Sequence, residues 1–349
     1  MSWLIARLAG HLEPVRGRIE ELLALGADEL IVAVAGAERE RVLAERENLR
    51  PDRLRVHSEQ SGLEPVCRCD AAYPRRLLQL ASAPRVLYVA GGVERLRELV
   101  AEDPVAIVGA RRASDYGLEV ACALGRGLAS ARVAVVSGMA LGIDSAAHGG
   151  ALAANGGTIA VLPGGADRPY PRAERALYQQ IRRTGVAISE LPAGAPVFRW
   201  SFPARNRIIA ALSSLTIVVE ARERSGSLIT ARIARELERP VAAVPGRVTS
   251  PLAAGPNALL AHGAELVRGA QDVLDVLFGA GVRGASTRDR AGVAPELESM
   301  LAQVADGADT VATLARDGLT AEQTLAALSA LELAGYLRRE PGGRYVVVP

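Results

Sequence analysis

Between Asp103 and Phe278 the chain repeats one unit: a short apolar run, a glycine- or proline-bearing turn, and a helical stretch. The runs are Val105–Val108, Val133–Val136, Thr158–Leu162, Val186–Ile188, Leu215–Val219 and Val241–Val244. Helical patterns lie between them, among them Asp115–Ser130, Gly142–Ala154, Ala204–Ser213 and Ser227–Leu237. The runs are apolar at successive positions rather than at alternate ones. A strand of that kind is buried on both faces, which happens when helices cover both sides of a parallel sheet. The expected fold class is therefore α/β, a Rossmann-like, doubly wound, mostly parallel sheet.

The flanks read differently. Residues 1–65 are rich in alanine and arginine and predict a small helical N-terminal region. Residues 66–278 hold the sheet. Residues 279–292 are small and polar, as in a flexible linker. In 293–349, three short helical patterns precede two apolar runs around Pro341-Gly342-Gly343, the element order of a winged-helix domain.

Charge is distributed unevenly along these parts. Residues 61–287 carry 26 arginines against 19 acidic residues, whereas 1–60 and 288–349 are both net acidic. An anionic partner is thus expected at the centre. All 41 basic residues are arginine, so a phosphate contact falls to arginine or to the backbone. Three cysteines, Cys67, Cys69 and Cys122, are too few for a disulfide framework and lack metal-ligand spacing, which predicts no metal site and a reducing, cytoplasmic setting. No apolar stretch approaches the ~18 residues of a spanning helix, and Met1–Gly10 lacks the pattern of a signal peptide; no membrane role is expected.

Ligands of an open parallel sheet bind at the carboxyl ends of its strands. The first such loop supplies Gly109, Arg111, Arg112 and Ser114 as candidate contacts; Gly109 lets the backbone approach an anion, and Ser114 can cap the next helix and donate its hydroxyl. It is not G-x-G-x-x-G, so no nicotinamide cofactor, and no other cofactor, is expected. The second supplies Ser137, Gly138, Met139 and Gly142. Asp144 and His148 follow it four apart on one helix face, and are expected to form a structural pair with Asp144 holding His148. An acid/base pair there would lack a positioned nucleophile, so no catalytic residue is assigned. The loop Leu162–Pro171 either cradles a phosphate or merely turns the chain.

Phe198–Arg207 is the most pointed segment. Phe198, Trp200 and Phe202 alternate in a chain with only 3% aromatic residues. On an extended segment these rings share one side, where bases stack, while arginines hold the phosphates. Arg199, Phe202, Arg205, Asn206 and Arg207 are the candidate contacts here; a buried strand with snorkelling arginines is the alternative. Cations in the first turn of the following helix oppose its dipole, which an anion docked there would relieve. Ser225, Gly226 and Ser227, at a later strand-to-helix turn, offer further amides and hydroxyls.

In order, these pieces resemble the DNA-processing protein A family (DprA/Smf). The resemblance rests on Tyr73-Pro74, Val108–Arg111 with Ser114 and Tyr116-Gly117, Ser137–Asp144 through His148, and Leu162–Gly165. It continues through Ser189-Glu190, Phe202-Pro203-Ala204-Arg205-Asn206-Arg207, Gly226-Ser227-Leu228 with Thr230-Ala231, Val244-Pro245-Gly246, and Asn257 with Gly263-Ala264. It spans roughly residues 70–275. The resemblance implies a homodimer that binds single-stranded DNA without sequence preference, protects it during natural transformation and helps load RecA recombinase, without known catalysis. The chain departs from the family in having no lysines around the pocket and no helix-hairpin-helix glycine pattern in its first 60 residues. Two other classes compete: a nucleoside-monophosphate phosphoribohydrolase-like enzyme, whose Pro-Gly-Gly-x-Gly-Thr motif breaks here after Pro163-Gly164-Gly165, and a winged-helix transcription regulator.

Overall fold

The computed structural model describes residues 1–284, 295–315, 320–334, 336–340 and 342–347. Residues 285–292 of the expected linker and Pro341 of the expected wing turn lie outside the described residues. The chain divides into two compact units, Met1–Ala285 and Ser286–Pro349.

The first unit opens with six helices, α1 Ser2–Arg7, α2 Ala9–Leu12, α3 Ile19–Ala24, α4 Ala27–Val34, α5 Arg39–Glu47 and α6 Pro51–Gln60. The sheet strands are β1 Glu64–Cys67, β2 Val86–Ala90, β3 Val105–Val108, β4 Val135–Ser137, β5 Thr158–Val161, β6 Val186–Ser189, β7 Leu215–Val218, β8 Val241–Ala243 and β9 Glu265–Leu266. The helices between and after them are α7 Val93–Ala101, α8 Asp115–Ser130, α9 Ile143–Ala153, α10 Arg175–Thr184, α11 Ser201–Leu212, α12 Gly226–Glu236, α13 Ala254–Ala261 and α14 Ala270–Phe278.

The nine strands form one sheet in the order β1-β2-β6-β5-β4-β3-β7-β8-β9. From β6 to β9 every neighbouring pair is parallel, and the antiparallel β2 and β1 extend one edge. The fold is Rossmann-like, as the apolar runs predict. Successive residues of one strand serve opposite layers. Val105 and Ile107 join α8, α9 and α14 in one core, whereas Ala106 and Val108 join α11 and α12 in the other. Full burial of each valine or isoleucine side chain stabilises the fold by about 1.5–3 kcal/mol, which is why the strands are apolar throughout. The N-terminal helices build a third core that also takes in Leu191, Trp200 and Ala204. Among the described residues no helix is long and apolar enough to cross a membrane.

The second unit contains α15 Pro295–Ala305, α16 Val311–Leu314 and α17 Ala321–Leu333, then the antiparallel pair β10 Leu337–Arg339 and β11 Tyr345–Val347. Met300, Val304, Leu314, Leu328, Leu331 and Tyr345 are buried in its core.

Candidate nucleic-acid interface

The strand order reverses between β3 and β7. The chain winds outward through β4, β5 and β6, then crosses back to lay β7 on the other side of β3. Loops leaving β3 and β7 therefore part in opposite directions and leave a crevice at their carboxyl ends. A pocket of about 390 Å³ lies there.

The β3 loop contributes Gly109, Ala110, Arg111 and Arg112 to its wall, and the β7 loop contributes Arg222, Arg224, Ser225, Gly226 and Ser227. From the β4–α9 turn come Ala140 and Asp144, and from α11 come Phe202, Arg205 and Asn206. Arg111, Arg112, Arg222 and Arg224 are exposed. The Arg111 guanidinium sits 4.6 Å from the centroid of the Phe202 ring, and Tyr170 lies against that ring at 5.6 Å. The cation thus lies over the ring, and both belong to the pocket wall, the residue types that take a phosphate and a base.

Arg205 differs from its exposed neighbours. It is buried, and its Nη1 donates to the Val161 carbonyl oxygen at 3.0 Å. Burial lowers its pKa to about 10, with Asp144 pulling upward and Arg111 pushing down. Asp144 is buried as well. Its Oδ2 accepts from the amides of Gly138 at 3.1 Å and Ala140 at 3.4 Å, and burial raises its carboxyl against the pull of Arg205. Space for Arg205 depends on Gly138, where a Cβ would collide with the guanidinium. Gly142 has φ +86°, and a Cβ there would strike the carbonyl of Ala110. The two loops can approach only through a glycine at that position.

Several expectations are corrected by this arrangement. Phe198, Trp200 and Phe202 do not line one side of an extended segment, because α11 begins at Ser201 and turns the chain. Only Phe202 reaches the pocket. Trp200 is buried; its Nε1 donates to the Ala9 carbonyl at 2.9 Å, and its ring stacks on Phe198 at 6.4 Å. Arg207 is buried at 2% exposure with its Nη2 on Glu190 at 2.5 Å, so it holds α11 to the chain after β6. Arg199 is exposed, but its side chain is not in the pocket wall.

Ser114 caps α8 through the Gly117 amide, as expected, yet its amide and hydroxyl both go to Glu220. Ser137 is buried and donates to the Ile107 carbonyl. Met139 is buried in a left-handed conformation, φ +53°. Asp144 does not hold His148. The Nδ1 of His148 meets the Thr158 hydroxyl at 2.6 Å, and that hydroxyl donates to the Val135 carbonyl. The Pro163-Gly164-Gly165 turn is packed beneath Pro192–Val197 and takes no part in the pocket.

Sequence reasoning missed Arg222 and Arg224. Their position just past an apolar strand was the available signal. Glu13 was missed too: its Oε2 accepts from the amides of Arg199 at 3.0 Å and Trp200 at 3.3 Å. A contact 186 residues apart leaves no local mark.

Comparison with known proteins identifies relatives of this chain and of its fold. Residues 64–278 match the family described as DNA recombination-mediator protein A. A putative DNA processing protein DprA of Mycobacterium tuberculosis is 45% identical over 72% of this chain, the match spanning 66% of that relative's length. The crystal structure of DNA processing protein A from Streptococcus pneumoniae superimposes with a TM-score of 0.64 at 34% identity, covering 72% of this chain and 87% of that one. DNA processing protein A from Helicobacter pylori, described for its single-stranded DNA binding mode, gives 0.55 at 31% identity, covering 62% and 97%.

Proposed function

The chain belongs to the DNA recombination-mediator protein A family, and from that membership we propose that it binds single-stranded DNA in the crevice between the β3 and β7 loops. The observation that carries this reading is the convergence of Arg111, Phe202 and Arg205 on one pocket at the reversal of strand order. Arg111, Arg112, Arg222 and Arg224 take the phosphates, and Phe202 stacks a base. The β7 loop ends at α12, where Ser225 caps the helix through the Ser227 amide and the exposed Gly226 lets a further phosphate approach the backbone at the helix start. None of these groups reads a base edge, so binding tolerates any sequence.

The same reading gives the protein a role in protecting single strands and passing them to RecA recombinase, as a homodimer and without turnover of nucleotide or DNA. The Helicobacter pylori relative's single-stranded DNA binding mode supports the strand binding on which this role depends. The C-terminal unit, with its helices and hairpin, is read as a winged-helix module.

A titration of labelled oligothymidine and of duplex of equal length, at two salt concentrations, tests the proposal. Single-strand binding should be much tighter than duplex binding and should weaken steeply with salt. Equal affinities at matched salt would overturn it.

A further inference from the structure

Helix α11 carries Phe202 in its first turn and Arg205 at the start of its second, and its N-terminal end is where backbone amides lack helical partners. The helix begins at Ser201, so Arg205 and Arg207 lie in its second turn, and an acid at its N-terminal end meets the positive pole of the helix dipole. The structure supplies one from within the chain. Glu13, immediately after α2, directs Oε2 at the amides of Arg199 and Trp200, while its Oε1 lies 3.9 Å from Arg16. One turn earlier the Ala9 carbonyl receives the Trp200 indole N–H at 2.9 Å. Ser201 closes the corner locally by donating to the Phe198 carbonyl at 2.7 Å. Two consecutive residues just ahead of the DNA-facing turn are therefore clamped by the N-terminal helical region.

We infer that Glu13 is a positioning residue for DNA binding: the N-terminal region caps α11 through it and thereby sets where Phe202 and Arg205 stand in the pocket. The inference rests on the proposed function for its DNA readout. It assigns a task to residues 1–65, which carry no DNA contact of their own in that reading.

Charge gives the test a definite sign. Were Glu13 merely a nearby acid, removing it would leave binding of a polyanion unchanged or tighten it. As a cap, its removal should weaken binding. We expect Glu13→Ala to weaken oligothymidine binding roughly three- to tenfold, the span of a lost helix cap. Glu13→Gln keeps an acceptor oxygen without the charge and should bind at least as tightly as the unaltered chain. Leu30→Ala, a core truncation elsewhere in the same helical region, should lower thermal stability and leave affinity alone. Tighter or unchanged binding by Glu13→Ala would overturn the inference, as would equal weakening by Leu30→Ala.

Hydrogen exchange of the protein without DNA separates this inference from the function it rests on. Glu13→Ala should accelerate amide exchange across residues 198–205, and Glu13→Gln should not. Unchanged exchange in Glu13→Ala would sink the positioning role even if the protein binds single strands; faster exchange in a protein that binds none would keep the cap and discard the DNA reading.

Discussion

Glu220, two residues past β7, accepts both the amide of Ser114 at 2.9 Å and its hydroxyl at 2.5 Å. Ser114 belongs to the β3 loop, so this pair ties together the two loops that diverge around the crevice. The side chain is buried at that junction, and the carboxylate also fills the space beside Gly117. Its neighbours in sequence, Arg222 and Arg224, line the pocket.

Replacing Glu220 by alanine should cost both stability and affinity. The half-buried Ser114 amide and hydroxyl lose their acceptor; a buried polar group left unpaired costs about 1–3 kcal/mol, and water reaching Ser114 places the loss at the lower end. Thermal unfolding should register that loss. Because the β3 and β7 loops are no longer tied, single-strand affinity measured on folded protein should also fall, whereas a purely local role would change the melting temperature alone.

Gly138→Ala should mimic removal of Arg205. The new methyl group would occupy the position of the guanidinium and force Arg205 out of its place over the β4 turn. Titration with labelled oligothymidine should show a loss of roughly tenfold, about 1.4 kcal/mol, for Gly138→Ala and for Arg205→Ala alike. The double variant should bind as each single one does, since both remove one group. Additive losses would show that the two residues act separately.

The parallel sheet was legible because burial on both faces writes continuous apolar runs, and the β3 and β7 loops were legible because glycine, serine and arginine cluster at strand ends. Burial within the site was not. Arg205 and Arg207 look equivalent in sequence, two apart on one helix. Helical geometry points them to different faces, one to the pocket wall and the other to a buried ion pair with Glu190. Trp200 was misplaced for a related reason: alternation was taken for a strand, but Ser201 begins a helix and the ring turns into the N-terminal core. The partner of His148 was hidden because Thr158 lies on the next strand, whereas Asp144 is one turn away on the same helix.

His148 should make the fold sensitive to mild acid. Thr158 spends its hydroxyl hydrogen on Val135, so His148 Nδ1 must be the donor, and Nε2 is a buried acceptor without a partner. Burial, assisted by Arg205, holds the ring neutral down to a pKa of about 3, below the usual value of 6.5. Between those values the unfolded chain takes up a proton that the folded chain refuses. Stability is therefore retained above pH 6.5 and lost as pH falls toward 3, on the order of 1 kcal/mol per pH unit. Asp144 acts in the opposite sense, its raised carboxyl favouring the folded state as pH falls toward 3.8. Denaturant unfolding at pH 7, 6 and 5 should show a shallower pH slope for His148→Asn than for the unaltered chain, and parallel slopes would refute the assignment.

The C-terminal unit should be dispensable for single-strand affinity. A helix that reads DNA presents basic side chains to the groove. In this unit α17 presents Glu322 and Glu332 and no arginine. Of the hairpin arginines, Arg338 pairs with Glu340 at 3.3 Å, Arg344 faces Asp309 at 3.7 Å, and Arg339 lies 6.0 Å from the Tyr345 ring centroid. Acidic side chains therefore offset much of the local positive charge that a phosphate would need. Leu333, 90% exposed at the end of α17, fits a protein contact better than a phosphate contact. A chain ending at Phe278 keeps every residue of the pocket wall and should bind oligothymidine within a factor of about three of the full-length protein, a difference of less than ~1 kcal/mol. If it stays folded by thermal unfolding yet binds tenfold more weakly, the C-terminal unit contributes to the DNA site, and its paired arginines must exchange carboxylates for phosphates on binding.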